Sequence, residues 1–97
     1  MAVQISPSEA VERNYAQALE LNLVERHGTL IGGDELRRLL CYPTVEAFRQ
    51  AVRRGTAPVP IFPLKHRRGH YAIAKDIALW LTECRERAFQ RSGRIDI

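Results

Sequence analysis

Glycine and proline cut this chain into short pieces, and that punctuation limits the folds open to it more than any other feature. Between His27 and Tyr71 the breakers fall at Gly28, the pair Gly32 and Gly33, Pro43, Gly55, then Pro58, Pro60 and Pro63, and finally Gly69. No helix of more than about three turns fits between residues 28 and 70. Long helices are confined to the two ends of the chain, and the middle must be built from short elements.

The first long helix has a clear start. Ser6 suits an N-cap, Pro7 the first helical position, and Glu9 completes a capping box three residues after Ser6. The helix is expected to run to His27, with Gly28 as its left-handed stop. On a 100° wheel Val11, Tyr15 and Ala18 form one stripe, which Leu19 and Leu23 widen while Leu21 and Val24 fall elsewhere. That spread exceeds what one small core needs. Two uses for the surplus stay open: packing across the domain's own body, or self-association through Val11, Tyr15, Leu19, Leu21 and Leu23.

After Gly32, Gly33 and Asp34, a short helix is expected over Glu35 to Leu40 with Leu36, Leu39 and Leu40 inward. Cys41, Tyr42 and Pro43 break it, and a second helix should run from Thr44 to Arg54, ended by Gly55. Two short helices across a three-residue break form a helix-turn-helix pattern. On the second, Val45, Ala47, Phe48, Ala51 and Val52 share one arc, and Glu46, Arg49, Gln50, Arg53 and Arg54 occupy the opposite one. Ile61 to Leu64 and Tyr71 to Ile73 flank Lys65 to His70, which reads as a β-hairpin with a basic tip. A last helix is expected over Lys75 to Gln90, with Ile77, Trp80, Leu81, Cys84 and Ala88 on one face. Residues 92–97 should fray.

Ninety-seven residues, 45% of them hydrophobic, suit one small domain with a modest core. The longest uncharged run, Gly55 to Leu64, carries three prolines and is too short to cross a bilayer, so no membrane role is expected. Met1 to Ser6 lack a basic run leading into an apolar stretch, and the expected compartment is the cytoplasm. Cys41 and Cys84 make no disulfide framework and read as reduced core residues.

Enzyme chemistry finds little support. Gly32 and Gly33 lack the lysine of a phosphate loop, and His66 and His70 lack a CxxC partner for zinc, so no cofactor or metal is expected. The charge distribution says more. The whole chain is +4, yet residues 1–30 carry two arginines against four glutamates, a net of −2. Residues 44–70 carry six basic residues against Glu46 alone, a net of +5. One helical face and one hairpin tip hold that charge, which fits double-stranded DNA, whose major groove admits a helix while an adjacent minor groove or phosphate ridge meets a hairpin. Arg49 and Arg53 are candidates for guanine edges or phosphates, Gln50 for adenine, Glu46 for cytosine and Thr44 for a phosphate. Arg54 adds to the same face, and Lys65, Arg67 and Arg68 suit phosphates or a narrow minor groove.

These segments resemble a known family. Asp34 to Leu40 as first helix, Tyr42-Pro43-Thr44 as turn, and Ala47-Phe48-Arg49 with Arg53-Arg54-Gly55 in the reading helix are similar to the MerR superfamily. Pro58-Val59-Pro60 before the wing and Asp76 to Leu81 after it, with Trp80-Leu81, extend the likeness to its excisionase and AlpA-like group of phage and mobile-element proteins. The resemblance implies a mainly α winged helix-turn-helix over residues 29–91 with a small β-hairpin wing; the N-terminal helix of residues 1–28 is an addition that the family does not usually carry. It also implies sequence-preferring DNA binding, as a transcription regulator or as a recombination directionality factor that assists an integrase and assembles cooperatively along DNA. The competing expectation is a protein-interaction module or inhibitor that uses the apolar first helix.

Overall fold

A computed structural model describes the backbone of residues 7–92 and the side chains of residues 13–91. Four helices and a two-stranded sheet follow in the order α1 (Pro7–His27), β1 (Leu30–Gly32), α2 (Gly33–Leu39), α3 (Val45–Arg54), β2 (Tyr71–Ile73) and α4 (Ala74–Ser92). The chain is therefore mainly helical with a small antiparallel sheet. The Ser6 cap and residues 93–97 of the expected tail lie outside the described residues, whereas Ser92 closes α4.

The two long helices form one layer. They run antiparallel: the Arg85 guanidinium lies 4.3 Å from the Tyr15 ring centre, and Glu20 and Lys75 line one groove with Ala16 and Leu79. Where α1 ends and α4 begins, the Ala74 amide donates to the Thr29 carbonyl at 2.8 Å. Ala16 and Leu23 of α1 are buried, and Leu19 and Val24 pack against the same core. Ile31, Leu36 and Ile77 are the largest side chains fully removed from solvent, one each from β1, α2 and α4. Leu40, Phe48, Val59, Ala72, Ala74 and Ala78 complete that cluster, with Trp80 and Leu81 half-buried against it.

The sheet differs from the expected hairpin. Tyr71–Ile73 pairs with Leu30–Gly32, in the register Leu30 with Ile73, Ile31 with Ala72 and Gly32 with Tyr71. Of the segment Ile61 to Leu64, Phe62 alone bridges to Tyr71, through amide bonds of 3.0 and 2.9 Å. Prolines explain the limit: Pro60 and Pro63 on either side of Ile61 and Phe62 have no N–H to extend a ladder. Leu30–Gly32 has no such gap and pairs along the whole of Tyr71–Ile73, on the edge opposite Phe62.

Gly32 makes the close pairing possible. Its backbone is extended (φ −144°, ψ −177°), so no left-handed strain is involved. A Cβ there, however, would stand 2.5 Å from Cδ1 of the Tyr71 ring. That ring cannot swing away cheaply, because its hydroxyl donates to the Arg68 carbonyl at 2.9 Å. Gly32→Ala is expected to lower stability by about 1 to 3 kcal/mol, as overpacking does, and Gly32→Ala with Tyr71→Ala should recover part of the loss in thermal unfolding.

Both cysteines are exposed, which corrects their reading as core residues. Cys41 sits at φ 66° just past α2, with its amide bonded to the Arg38 carbonyl and the Tyr42 amide to the Arg37 carbonyl. It occupies the left-handed position that ends a helix, not an inward one. On α4 the buried stripe runs through Ala74, Ile77, Ala78 and Thr82. Taken from Ile77, the side chains of Ala74, Ala78 and Thr82 lie about 60° to 140° round one side of the helix and Cys84 about 20° round the other, past the edge of the buried stripe, and Ala88 is exposed as well. The buried Thr82 hydroxyl is satisfied by donating to the Ala78 carbonyl at 2.7 Å.

Candidate nucleic-acid interface

Thr44 sets the start of α3. Its backbone is extended, and its Oγ1 accepts the Ala47 amide at 3.0 Å, the bond an N-cap makes. Gly55, at φ 68° and ψ 30°, ends the helix in the left-handed conformation. The Thr44 hydroxyl keeps its own proton for a second partner, because a hydroxyl accepts and donates at once. Thr44→Ala is expected to destabilise the fold by about 0.5 to 2 kcal/mol, with Thr44→Ser near wild type, read by urea unfolding.

Between these caps α3 divides as its pattern requires. Phe48 and Ala51 are buried and Ala47 and Val52 half-buried, whereas Glu46, Arg49, Gln50, Arg53 and Arg54 are all exposed. Val45 departs from the expected inward arc, with 47% of its surface exposed. The Tyr42 ring packs on Phe48 at 5.7 Å between centres, tilted by 55°, and covers the core at the start of α3 in place of Val45. Arg53 and Glu46 form an ion pair at 3.2 Å along the exposed face. Both side chains are largely in solvent, so the pair adds little to stability and mainly sets where Arg53 points.

The basic loop is held rather than loose. The Arg67 amide donates to the Leu64 carbonyl at 3.1 Å across a four-residue turn whose third residue, His66, has φ 66°. Gly69 at φ 91° reverses the chain again, and the Tyr71 hydroxyl anchors Arg68 through its carbonyl. Lys65, His66, Arg67 and Arg68 are all exposed, and His70 at the foot of the loop is half-buried.

Loop and helix meet at His70. A recess of about 210 Å³ opens there, walled by Val45, Phe48 and Arg49 of α3 and by Gly33, Asp34 and Arg37 of α2. Gly69 and His70 close it. A shallower hollow beside it is lined by Glu46, Arg49, Val52, Arg53 and His70, so Arg49 and His70 stand in both. Asp34 accepts from Arg37 at 2.7 Å through Oδ1 and from Arg38 at 3.0 Å through Oδ2. The Arg37 hydrogen bond holds the Asp34 carboxyl below its ordinary pKa; burial opposes that shift and the charges of Arg37 and Arg38 add to it. Arg37 also donates to the Tyr42 carbonyl at 2.8 Å, tying α2 to the break before α3.

The α3 candidates Glu46, Arg49, Gln50, Arg53 and Arg54 therefore share one exposed face, with Thr44 exposed at the start of the helix, and the foot of the loop bearing Lys65, Arg67 and Arg68 meets that face at His70. The self-association set is divided. Leu23 is buried and Leu19 half-buried within the chain's own core, which removes them from any free surface. Tyr15 is partly exposed beneath Arg85, Leu21 is 65% exposed, and the side chain of Val11 lies outside the described residues. Sequence reasoning missed Val45 and Arg37, which line the same recess as Arg49 and His70. The spacing of Asp34 to Arg37 and Arg38 signalled their pairing, whereas nothing in the pattern of α3 marked Val45 as exposed.

No family model matches the chain, and neither a curated protein nor a solved structure matches it significantly. Among the described residues no cluster of three or more His, Cys, Asp and Glu side chains is placed to hold a metal ion. No described helix is long and apolar enough to cross a membrane.

Proposed function

We propose that this chain binds duplex DNA as a winged helix-turn-helix protein, with α3 in the major groove and the loop of residues 64–70 as its wing. The observation that carries the reading is the exposed polar face of α3 set against the foot of a basic, internally braced loop. Arg49, Gln50 and Arg53 are long enough to reach base edges, and Glu46 holds Arg53 along the groove axis. Thr44 and the first amides of α3 suit a phosphate, and Lys65, Arg67 and Arg68 suit phosphates or the minor groove. With about five basic groups neutralising phosphates, log affinity should fall with log salt at a slope of roughly −4 to −5, measured by fluorescence anisotropy on a labelled duplex. Salt-independent binding would sink the reading.

Two roles share these residues: a transcription regulator, and a recombination directionality factor working beside an integrase. A nuclease footprint separates them. One short protected site favours the regulator; a run of phased sites favours the recombination factor. A second reading, a protein-interaction module, draws on the exposure of Leu21 on α1 and of Leu79 and Phe89 on α4. Absence of duplex binding at low salt, together with a mass that rises with concentration, would favour it.

A further inference from the structure

The recess beside Arg49 has a chemistry of its own. Its α3 wall is apolar, made by the half-exposed Val45 and by Phe48, while Arg49 and His70 stand at its edge. The acid that lines it, Asp34, accepts one bond at each oxygen, from Arg37 and from Arg38, which offsets its charge and leaves the half-exposed Val45 as the distinctive group of the recess. A partner that enters here must offer a small apolar group on the edge of a molecule that the surrounding cations also attract. In the major groove of DNA one group fits that description, the methyl at C5 of a pyrimidine.

We infer that Val45 and its recess read a pyrimidine C5-methyl group, so that this protein prefers sites carrying thymine, or 5-methylcytosine, opposite the first turn of α3. The inference rests on the duplex-binding reading above. Val45 lies one turn before Arg49, so a helix that presents Arg49 to a base edge carries Val45 to a neighbouring base pair on the same face. Valine is suited to the task because its stiff, branched side chain offers two methyls in a fixed place.

The test starts from a duplex selected from a randomised pool, in which each thymine is then replaced singly by uracil, removing the methyl and leaving the pairing intact. Uracil at one position, or at two adjacent ones, should weaken binding about three- to fivefold, the ratio expected for one methyl leaving an apolar contact. In Val45→Ala that ratio should fall to near one, while the melting temperature of the protein stays within a few degrees because the side chain is half in solvent. At the sensitive position a 5-methylcytosine pair should bind more tightly than a cytosine pair; equal binding of the two would overturn the inference that the C5-methyl itself is what is read. Binding with no uracil-sensitive position overturns the inference and leaves the DNA reading standing. Uracil sensitivity that persists in Val45→Ala also overturns it, since the methyl is then read elsewhere. Failure to bind any duplex removes both.

Discussion

Leu36→Ala is expected to cost about 2 to 5 kcal/mol, a large part of the 5 to 15 kcal/mol that holds a typical domain together. Leu36 has no exposed surface and lies at the centre of a cluster that draws on β1, α2, α3, β2 and both long helices. Truncation would remove apolar contacts on every side, and the Arg37 bond to the Tyr42 carbonyl, which ties α2 to the break before α3, limits how far the helix can settle into the gap. In a domain of this size each kcal/mol lowers the melting temperature by about 4 to 8 °C, so the loss should be plain by calorimetry. Leu39→Ala, at a half-buried position on the same helix, should cost clearly less. Equal losses at the two sites would mean that α2 is packed on a different face.

Arg49→Ala is expected to weaken duplex binding by about 1 to 3 kcal/mol if the side chain reads a base, and to relax preference at one position of the site. Arg49 stands in both hollows of the candidate interface, and among the described residues no ion pair positions it, in contrast to Arg53, which Glu46 holds. It is thus the cation on α3 best placed to give up solvent for a partner. Arg67→Ala should behave otherwise, weakening all sequences alike and reducing the magnitude of the salt slope by about one. Binding curves on the selected duplex and on a scrambled one, each at several salt concentrations, separate the two outcomes. If Arg49→Ala weakened both duplexes equally, its role would be to hold a phosphate.

The elements with their own local signals were legible. Gly28 stops α1, Thr44 caps α3 and Gly55 ends it, each at the residue the sequence indicates. In these cases the sequence carries the local bond or the unusual φ that makes the boundary. The sheet was not legible, because its strands are three residues long and lie far apart in the chain. Local reasoning paired Tyr71–Ile73 with the nearest apolar run, where the missing N–H groups of two prolines allow a single bridge.

The candidate interface follows the same division. The polar arc of α3 was visible from helical spacing, and the basic loop from composition. Val45 was misplaced because periodicity says which residues share a face but not which neighbour covers it; here Tyr42 takes the covering role. Cys84 was misplaced by a small rotation of α4, whose inward stripe depends on where α1 lies against it. Likewise the apolar surplus of α1 could not be apportioned until α4 was seen to bury Leu23 and part of Leu19.

The bond from the Ala74 amide to the Thr29 carbonyl, and the register of Leu30 with Ile73, place the two ends of the central segment side by side. Everything from α2 to the basic loop is thus one excursion, entered and left through the same doorway, with α1 and α4 as its posts. Such an arrangement makes assembly wait on the last element. Until α4 closes against α1, Ile31 and Leu36 lack the partner that Ile77 supplies, and the loop-closing entropy of the whole excursion must be met before those contacts reward it. Folding should accordingly be a single late event rather than a stepwise one, with the polar face of α3 and the basic loop taking shape together with the helix pair that frames them.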